Sequence, residues 1–449
     1  MSERRSRREL DKAIRREPRD TALRVERGDY YRERGKLHYA SALRDYGDAI
    51  RLDPDCAEAY FGRGLVYVRE GRFSDAIRDY ERATRLNSTL THLDYAEAFY
   101  NKGNFHGSMR EYDHAKKNYD KAIDINSEYI DAYSARGTLH GMKGEDNRAL
   151  EDYNKAIDIN PEHATAYLGR GSVYEVKFEY DSAIRDYSKA INIDPNFALA
   201  YYNRGIAYGS KNQYDRAILD FANAIEINPN YAESYNSMGL SYYRKGEYDL
   251  AIRNLDEAIK IDPCLTLAYN NRGCAYKDKG EYDCAIADYD KAISLTPDFT
   301  EAYNNRGLAY YGNGNYNQAI ENYAKAISIN PNHAYPYLNR GITYAILGDP
   351  DRTIGDLDDA VRLCPNYEAD FIDRKFIAMD DSIELAIELL KSVVNSPRKS
   401  ESDYYYTGVR SLFLNDLLSA EMCFMKARKL GDEFTAKIEQ HLENLKNRK

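Results

Sequence analysis

The sequence lacks several features by which common protein classes are recognised. None of its 449 residues is tryptophan, and no apolar run approaches the length of about 18 residues that a membrane span requires. The first ten residues, MSERRSRREL, lack the apolar segment of a secretory signal. We therefore expect a cytoplasmic protein that does not enter a membrane.

Cysteine is scarce and scattered. The chain has 6 cysteines and no Cys-x-x-Cys pair, so it fits neither a disulfide scaffold nor a zinc module. We expect reduced thiols at Cys56, Cys264, Cys274, Cys284, Cys364 and Cys423.

Sequence motifs for catalysis are also missing. No Walker, Rossmann, metalloprotease or Ser-His-Asp pattern occurs, and we expect no enzymatic activity, no catalytic residue and no cofactor. His106 and His140 occupy a position that usually holds tyrosine. We interpret both as packed aromatic side chains, with a shared metal ion as the alternative.

Acidic residues outnumber basic ones, 73 against 63, which gives a net charge of −10. Non-specific binding to nucleic acid phosphates is therefore not the first expectation. Residues 1–36 are the exception, with 13 basic and 8 acidic residues. A solvated helix start is the simpler interpretation of this basic head, and contact with an acidic partner, a membrane or nucleic acid is the alternative.

What the sequence has is a repeat. Prolines recur at intervals of 34 residues, at Pro161, Pro195, Pro229, Pro263, Pro297, Pro331 and Pro365. The unit is typified by residues 266–299, TLAYNNRGCAYKDKGEYDCAIADYDKAISLTPDF. Its key positions are Tyr269, Gly273, Tyr276, Ala285, Tyr289, Ala292 and Pro297. This pattern resembles the tetratricopeptide repeat (TPR) family, which implies helical pairs stacked into a right-handed, all-α solenoid.

The spacing of apolar residues independently predicts two helices in each unit. Gly280 suits the left-handed turn between them, and Pro297 ends the second helix. Gly273, Ala285 and Ala292 are small, which lets the two helices cross closely. One pair cannot bury its apolar faces alone, so we expect neighbouring pairs to share one core.

We divide the chain into a basic segment with a partial repeat (1–20), ten TPR units (21–367), a degenerate unit (368–400), a further TPR unit (401–434) and a capping helix (435–449). Because Lys375 replaces glycine in the degenerate unit, we expect irregular packing or a hinge there. Because the repeats occupy nearly all of the sequence, we expect no catalytic domain in it.

One pattern departs from the family. Arginine stands at position 7 of eight units, where leucine is usual, and position 23 carries aspartate in seven of these and Asn322 in the other. Two units have Lys102 and Met238 instead, and these have Asn118 and Asn254 at position 23. The joint change indicates an ion pair between the two helices of a unit, with inheritance from one duplicated unit as the alternative.

In the family the first helix of each unit lines a concave groove. Position 6 holds Asn101, Asn203, Asn271, Asn305 and Asn339. This row resembles the asparagine ladder of O-linked N-acetylglucosamine transferases, where amides grip the backbone of an extended peptide. The resemblance implies a peptide-binding site with further contacts from Asn270, Asn304, Tyr202, Tyr243 and Tyr311.

We therefore predict a scaffold or adaptor that binds an extended or helical protein segment between units 198–231 and 334–367. The first alternative is a regulatory or targeting subunit of an enzyme on another chain, and a weaker one is nucleic-acid binding through the basic head. The two-carboxylate clamp of chaperone-binding TPR domains needs lysine at position 5. No unit from residue 57 onward has it, so chaperone tails are not expected as ligands.

Overall fold

The computed structural model describes residues 6–86, 92–347 and 349–363, and within these ranges every regular element is a helix. None of the described helices is both long and apolar enough to cross a bilayer. The chain divides into two compact units, residues 1–216 and 217–449. The predicted hinge at 368–400, the repeat at 401–434 and the capping helix lie outside the described residues.

In the first compact unit, α1 packs on α2 through buried Leu10 and Ile14, and helical pairs follow. The helices are α1 Arg7–Arg16, α2 Thr21–Glu33, α3 Tyr39–Leu52, α4 Ala57–Arg69, α5 Phe73–Leu86, α6 His92–Ser108, α7 Tyr112–Ile125, α8 Ile130–Met142, α9 Asp146–Ile159, α10 Ala164–Val176, α11 Tyr180–Ile193 and α12 Ala198–Ser210. A short 3-10 helix, Lys36–His38, precedes α3. Helix α13, Tyr214–Ile227, contains the boundary between the units.

The second compact unit continues the same pattern. Its helices are α14 Ala232–Arg244, α15 Tyr248–Ile261, α16 Thr266–Asp278, α17 Tyr282–Leu295, α18 Thr300–Gly312, α19 Tyr316–Ile329, α20 Ala334–Ile346 and α21 Pro350–Leu363. Each first helix contacts its own second helix, and α16, α18 and α20 also contact the second helix of the preceding pair. Successive first helices also contact one another: α14 contacts α16, and α16 contacts α18.

The core runs from one helical pair to the next, as the repeat predicts. Ala285 and Tyr289 of α17 are fully buried and form one cluster with Ala309 of the following pair. A Cβ atom on Gly273 would lie 2.8 Å from Cε1 of Tyr289, which explains why this position has no side chain. Gly280 has φ of 81°, so the predicted left-handed turn is confirmed.

Candidate functional site

The predicted contact between positions 7 and 23 is confirmed. Arg272 donates from Nε to Asp288 Oδ2 at 2.9 Å and from Nη2 to Oδ1 at 2.6 Å. Asp288 is only 6% exposed, so its carboxylate depends on this arginine for hydrogen bonds. The same paired bonds, at 2.6–2.9 Å, join Arg27 to Asp45, Arg63 to Asp79, Arg136 to Asp152, Arg170 to Asp186 and Arg340 to Asp356.

The arginines also bind the preceding repeat, which the sequence analysis missed. Nη1 of Arg272 donates to Asp256 Oδ1 on α15 at 2.6 Å. One guanidinium therefore ties three helices together. Equivalent bonds run from Arg27 to Asp11, from Arg136 to Asp120, from Arg170 to Asn154, from Arg204 to Ser188 and from Arg306 to Asp290. The signal that could have revealed them is a polar residue at position 25 of the preceding unit.

Asparagine at position 23 behaves differently where the arginine is absent. Asn118 donates to the carbonyl of His114, and Asn254 donates to that of Leu250, both within their own helix. Asn322 makes the same kind of bond and also accepts from Arg306 Nε at 2.7 Å. The expected pair of Arg204 with Asp220 joins residues of different compact units and stays a prediction.

Burial strengthens the attraction within each ion pair, but it also removes both charged groups from water, which costs free energy. It raises the pKa of Asp288, against the lowering effect of the hydrogen bonds from Arg272. Burial alone would lower the pKa of Arg272, but hydrogen bonds to Asp288 and Asp256 raise it, and the guanidinium stays charged. Such a pair orients the two helices more than it adds to the free energy of unfolding. Removal of one partner, however, leaves a buried charge without a counter-charge and lowers stability strongly.

The asparagines of the second compact unit form a row of paired amides. In each pair, Nδ2 of the position-6 asparagine donates to Oδ1 of the position-5 asparagine in the preceding repeat. The pairs are Asn271 to Asn236 at 3.0 Å, Asn305 to Asn270 at 3.1 Å and Asn339 to Asn304 at 2.9 Å. We call these six residues the paired amides; they lie on the first helices α14, α16, α18 and α20.

The members of the paired amides differ in accessibility. Asn236, Asn270, Asn304 and Asn339 are buried, whereas Asn271 and Asn305 are half-buried. Asn271 keeps its carbonyl oxygen and a second N–H for other partners, whereas Nδ2 of Asn305 also donates to Cys274 Sγ at 3.5 Å, so Asn305 offers a ligand its carbonyl oxygen. Asn271 and Asn305 are therefore the two best placed to meet a ligand.

The other predicted binding residues are spread over both compact units. In the first, Asn203 hydrogen-bonds to the Tyr187 hydroxyl, and Tyr202 and Asn101 lie half-buried on α12 and α6. In the second, Tyr243 donates to Asp278 Oδ2 at 2.7 Å, and burial raises its pKa. Burial also raises the pKa of Tyr311 to about 12. Of the five predicted position-6 asparagines, Asn271, Asn305 and Asn339 thus lie together in the second compact unit. Asn101 and Asn203 lie in the first.

A separate cluster lies at the turn between α6 and α7. His106 Nδ1 is 2.6 Å from Glu111 Oε2, and the His106 ring stacks on the His114 ring with centroids 5.4 Å apart. Each residue has a potential metal-ligand atom within 4.8 Å of those of the other two. His140, which we interpreted as a packed aromatic side chain with a metal shared with His106 as the alternative, is 4% exposed and lies 2.6 Å from Glu145 Oε2.

Comparison with known families matches most of the described chain to repeat models. A family described as "TPR repeat" matches residues 142–176, 179–211, 239–280 and 273–314. Families described as "Tetratricopeptide repeat" match 96–129, 198–231 and 300–333, as well as 36–89, 221–253 and 322–355.

Two similar curated proteins carry chaperone-related names. Residues of this chain are 29% identical over 102 residues to Hsp70-Hsp90 organizing protein 2 of Arabidopsis thaliana, which is 22% of this chain and 17% of that protein. They are 37% identical over 60 residues to the tetratricopeptide repeat and J domain-containing co-chaperone DNJ1 of Cryptococcus neoformans var. grubii, 13% of this chain and 12% of that protein. The chain thus spans less than a fifth of the length of these relatives.

Similar solved structures include YrrB, described as a TPR protein with an unusual peptide-binding site, at 30% identity and a TM-score of 0.35 over 41% of this chain and 95% of that one. The Cut9–Hcn1 hetero-tetramer of APC/C is 18% identical, with a TM-score of 0.47 over 78% of this chain and 82% of that one.

Proposed function

Because the chain belongs to the tetratricopeptide repeat family, we propose that it is a non-enzymatic scaffold or adaptor that binds a protein segment along the first helices of its second compact unit. The segment is extended or helical and lies across α14, α16, α18 and α20. The observation that carries the proposal is the row of paired amides on these four helices.

An amide row suits a peptide backbone chemically. Asn271 retains an acceptor and a donor, which matches the donor and acceptor of one peptide unit, and Asn305 retains its acceptor oxygen for a backbone N–H. Such contacts do not read the ligand's side chains, so the surface would accept many sequences. Tyr243 and Tyr311 would add apolar area from the same first helices.

The bonds within the row would favour binding by preorganisation. Asn271 is already held by Asn236, and Asn305 is held by Asn270. A ligand therefore does not have to order these side chains, which lowers the entropic cost of association. The buried Asn236 and Asn270 act as supports, whereas the half-buried Asn271 and Asn305 touch the ligand.

The test begins with selection of random linear peptides on the full chain, followed by fluorescence anisotropy with a selected peptide. Replacement of Asn271 or Asn305 by alanine should each weaken binding by about 0.5–1.5 kcal/mol. Asn236→Ala should weaken it less, because it removes only the support. Asn332, exposed on the turn before α20, supplies the control: Asn332→Ala should leave affinity unchanged.

The proposal would be overturned if selection yields no binding peptide, or if the double variant of Asn271 and Asn305 binds as tightly as the parent. Circular dichroism of each variant verifies that the helices are retained. If replacement of Asn203 or Asn101 by alanine weakens binding of the selected peptide instead, the site lies in the first compact unit.

The names of the similar co-chaperones raise chaperone tails as a second candidate ligand. Position 5 of the repeats at 232–333 holds Asn236, Asn270 and Asn304, each buried and bonded to the next repeat. These amides cannot replace the lysine of a carboxylate clamp. We expect C-terminal peptides of Hsp70 and Hsp90 to bind no better than scrambled peptides in the same anisotropy assay.

A further inference from the structure

We propose that His106, Glu111 and His114 form a binding site for a divalent transition-metal ion such as Zn²⁺. His106 lies in the last turn of α6, Glu111 directly precedes α7, and His114 lies in the first turn of α7. Their potential ligand atoms lie within 4.8 Å of one another. The site would therefore join the two helices of one repeat.

The donor set suits this class of ion. Two imidazoles and one carboxylate are ligands that Zn²⁺ accepts, at bond lengths of about 2.0–2.2 Å. Tetrahedral ligand atoms at that distance from the metal are about 3.3–3.6 Å apart, so small rotations of these side chains suffice. Glu111 and His114 are exposed, which gives the ion access from solvent and leaves a fourth position for water.

The next repeat is an internal contrast. His140 and Glu145 occupy the same two positions as His106 and Glu111, with the same 2.6 Å contact between Nδ1 and Oε2. Arg148 stands where His114 stands, and it donates to Glu145 at 2.9 Å. That arginine, followed by His140, lowers the pKa of the Glu145 carboxyl group. The repeat at 96–129 therefore has a third potential metal ligand, His114. The repeat at 130–163 has the positively charged side chain of Arg148 at the same position.

The location gives the metal a structural purpose. The repeat at 96–129 has Lys102 and Asn118 in place of the Arg–Asp pair, and Asn118 bonds within its own helix. A metal held by His106 of α6 and His114 of α7 would supply a link between these helices near the turn. It would thus strengthen a repeat that lacks the buried ion pair.

The experiment titrates ZnCl₂ into the full chain by calorimetry after removal of metal with a chelator. Because loss of an outer-shell partner already weakens metal binding by about 10–100-fold, His114→Arg should weaken it by at least about 100-fold. The neighbouring repeat carries arginine at this position, so the variant is expected to fold. Glu111→Gln, which retains a hydrogen-bonding side chain beside His106, should weaken binding in the same direction.

His163→Arg is the matched control, because His163 contacts Asp131 outside the cluster and its loss should leave Zn²⁺ affinity unchanged. Co²⁺ as a probe should give visible absorption bands of a nitrogen and oxygen site in the parent but not in His114→Arg. Zn²⁺ should also raise the melting temperature of the parent more than that of the variant. Equal Zn²⁺ affinity in the parent and His114→Arg, or bands typical of thiolate ligands in both, would overturn the proposal.

Discussion

Two adjacent repeats of the second compact unit solve the same packing problem in different ways. Residues 266–299 join α16 to α17 by the bidentate contact of Arg272 with Asp288. Residues 232–265 have Met238 and Asn254 at the same positions, and Asn254 bonds only within α15. Both repeats nevertheless consist of a first helix of 13 residues and a second of 14.

The comparison shows that the ion pair is not required to form a helical pair. Apolar burial does that in both repeats: Ala251 and Leu255 in one, and Ala285 and Tyr289 in the other, are fully buried. What the arginine adds is connection between repeats, because Arg272 also reaches Asp256 on α15. We therefore interpret the arginine as a link that fixes how neighbouring repeats join, and the apolar core as the main source of stability.

The largest expected effect comes from breaking the bridge on one side. Arg272→Met should lower the free energy of unfolding by about 3–5 kcal/mol, because it leaves the buried carboxylate of Asp288 uncompensated. Urea unfolding followed by circular dichroism measures this. The control is the exposed pair of Arg82 with Asp55, whose side chains are 3.0 Å apart. Arg82→Met should lower the free energy of unfolding by at most about 1 kcal/mol. Equal losses in the two variants would show that the buried bridge behaves like a surface pair.

Removing both charges should be milder. Arg272→Met together with Asp288→Asn recreates the combination of Met238 with Asn254, and the new asparagine can bond within α17 as Asn254 does within α15. We expect a coupling free energy of about 1–3 kcal/mol in a double-mutant cycle measured by urea unfolding. Strictly additive losses would mean that the observed contact carries no coupling and that the joint change of residues reflects shared ancestry.

Sequence reasoning reached these pairs because the two positions change together within one chain. It identified the helical pairs for a similar reason, since glycine, alanine and tyrosine recur at offsets that only this packing explains. It did not find that Asn271 bonds to Asn236, although asparagine at position 5 followed by asparagine at position 6 of the next unit was visible. That contact depends on the rotation between repeats, which a one-dimensional pattern does not contain. The cluster around His106 was missed because its third member, His114, lies in a different helix.

The paired amides give a smaller effect. Asn271, Asn305 and Asn339 each donate to a buried asparagine, so we expect each replacement by alanine to lower the free energy of unfolding by about 0.5–1.5 kcal/mol. Urea unfolding of Asn271→Ala measures it, with Asn332→Ala, at an exposed turn position, as the control that should leave stability unchanged. A variant of Asn271 that is as stable as the parent would contradict this structural contribution.

The smallest expected effect is the transplant of the bridge into the repeat that lacks it. Met238→Arg with Asn254→Asp would place an ion pair between α14 and α15, and it should change the free energy of unfolding by no more than about 1 kcal/mol. The gain from two hydrogen bonds is offset by the loss of hydration of both charges and by the loss of a packed methionine. The preceding repeat offers Ala222 rather than a carboxylate at position 25, so the new arginine would also lack the third bond that Arg272 makes to Asp256. Adding Ala222→Asp should then improve on the double variant in urea unfolding. If the double variant alone stabilises the chain by several kcal/mol, the ion pair is a main source of stability, and the interpretation drawn from these two repeats is wrong.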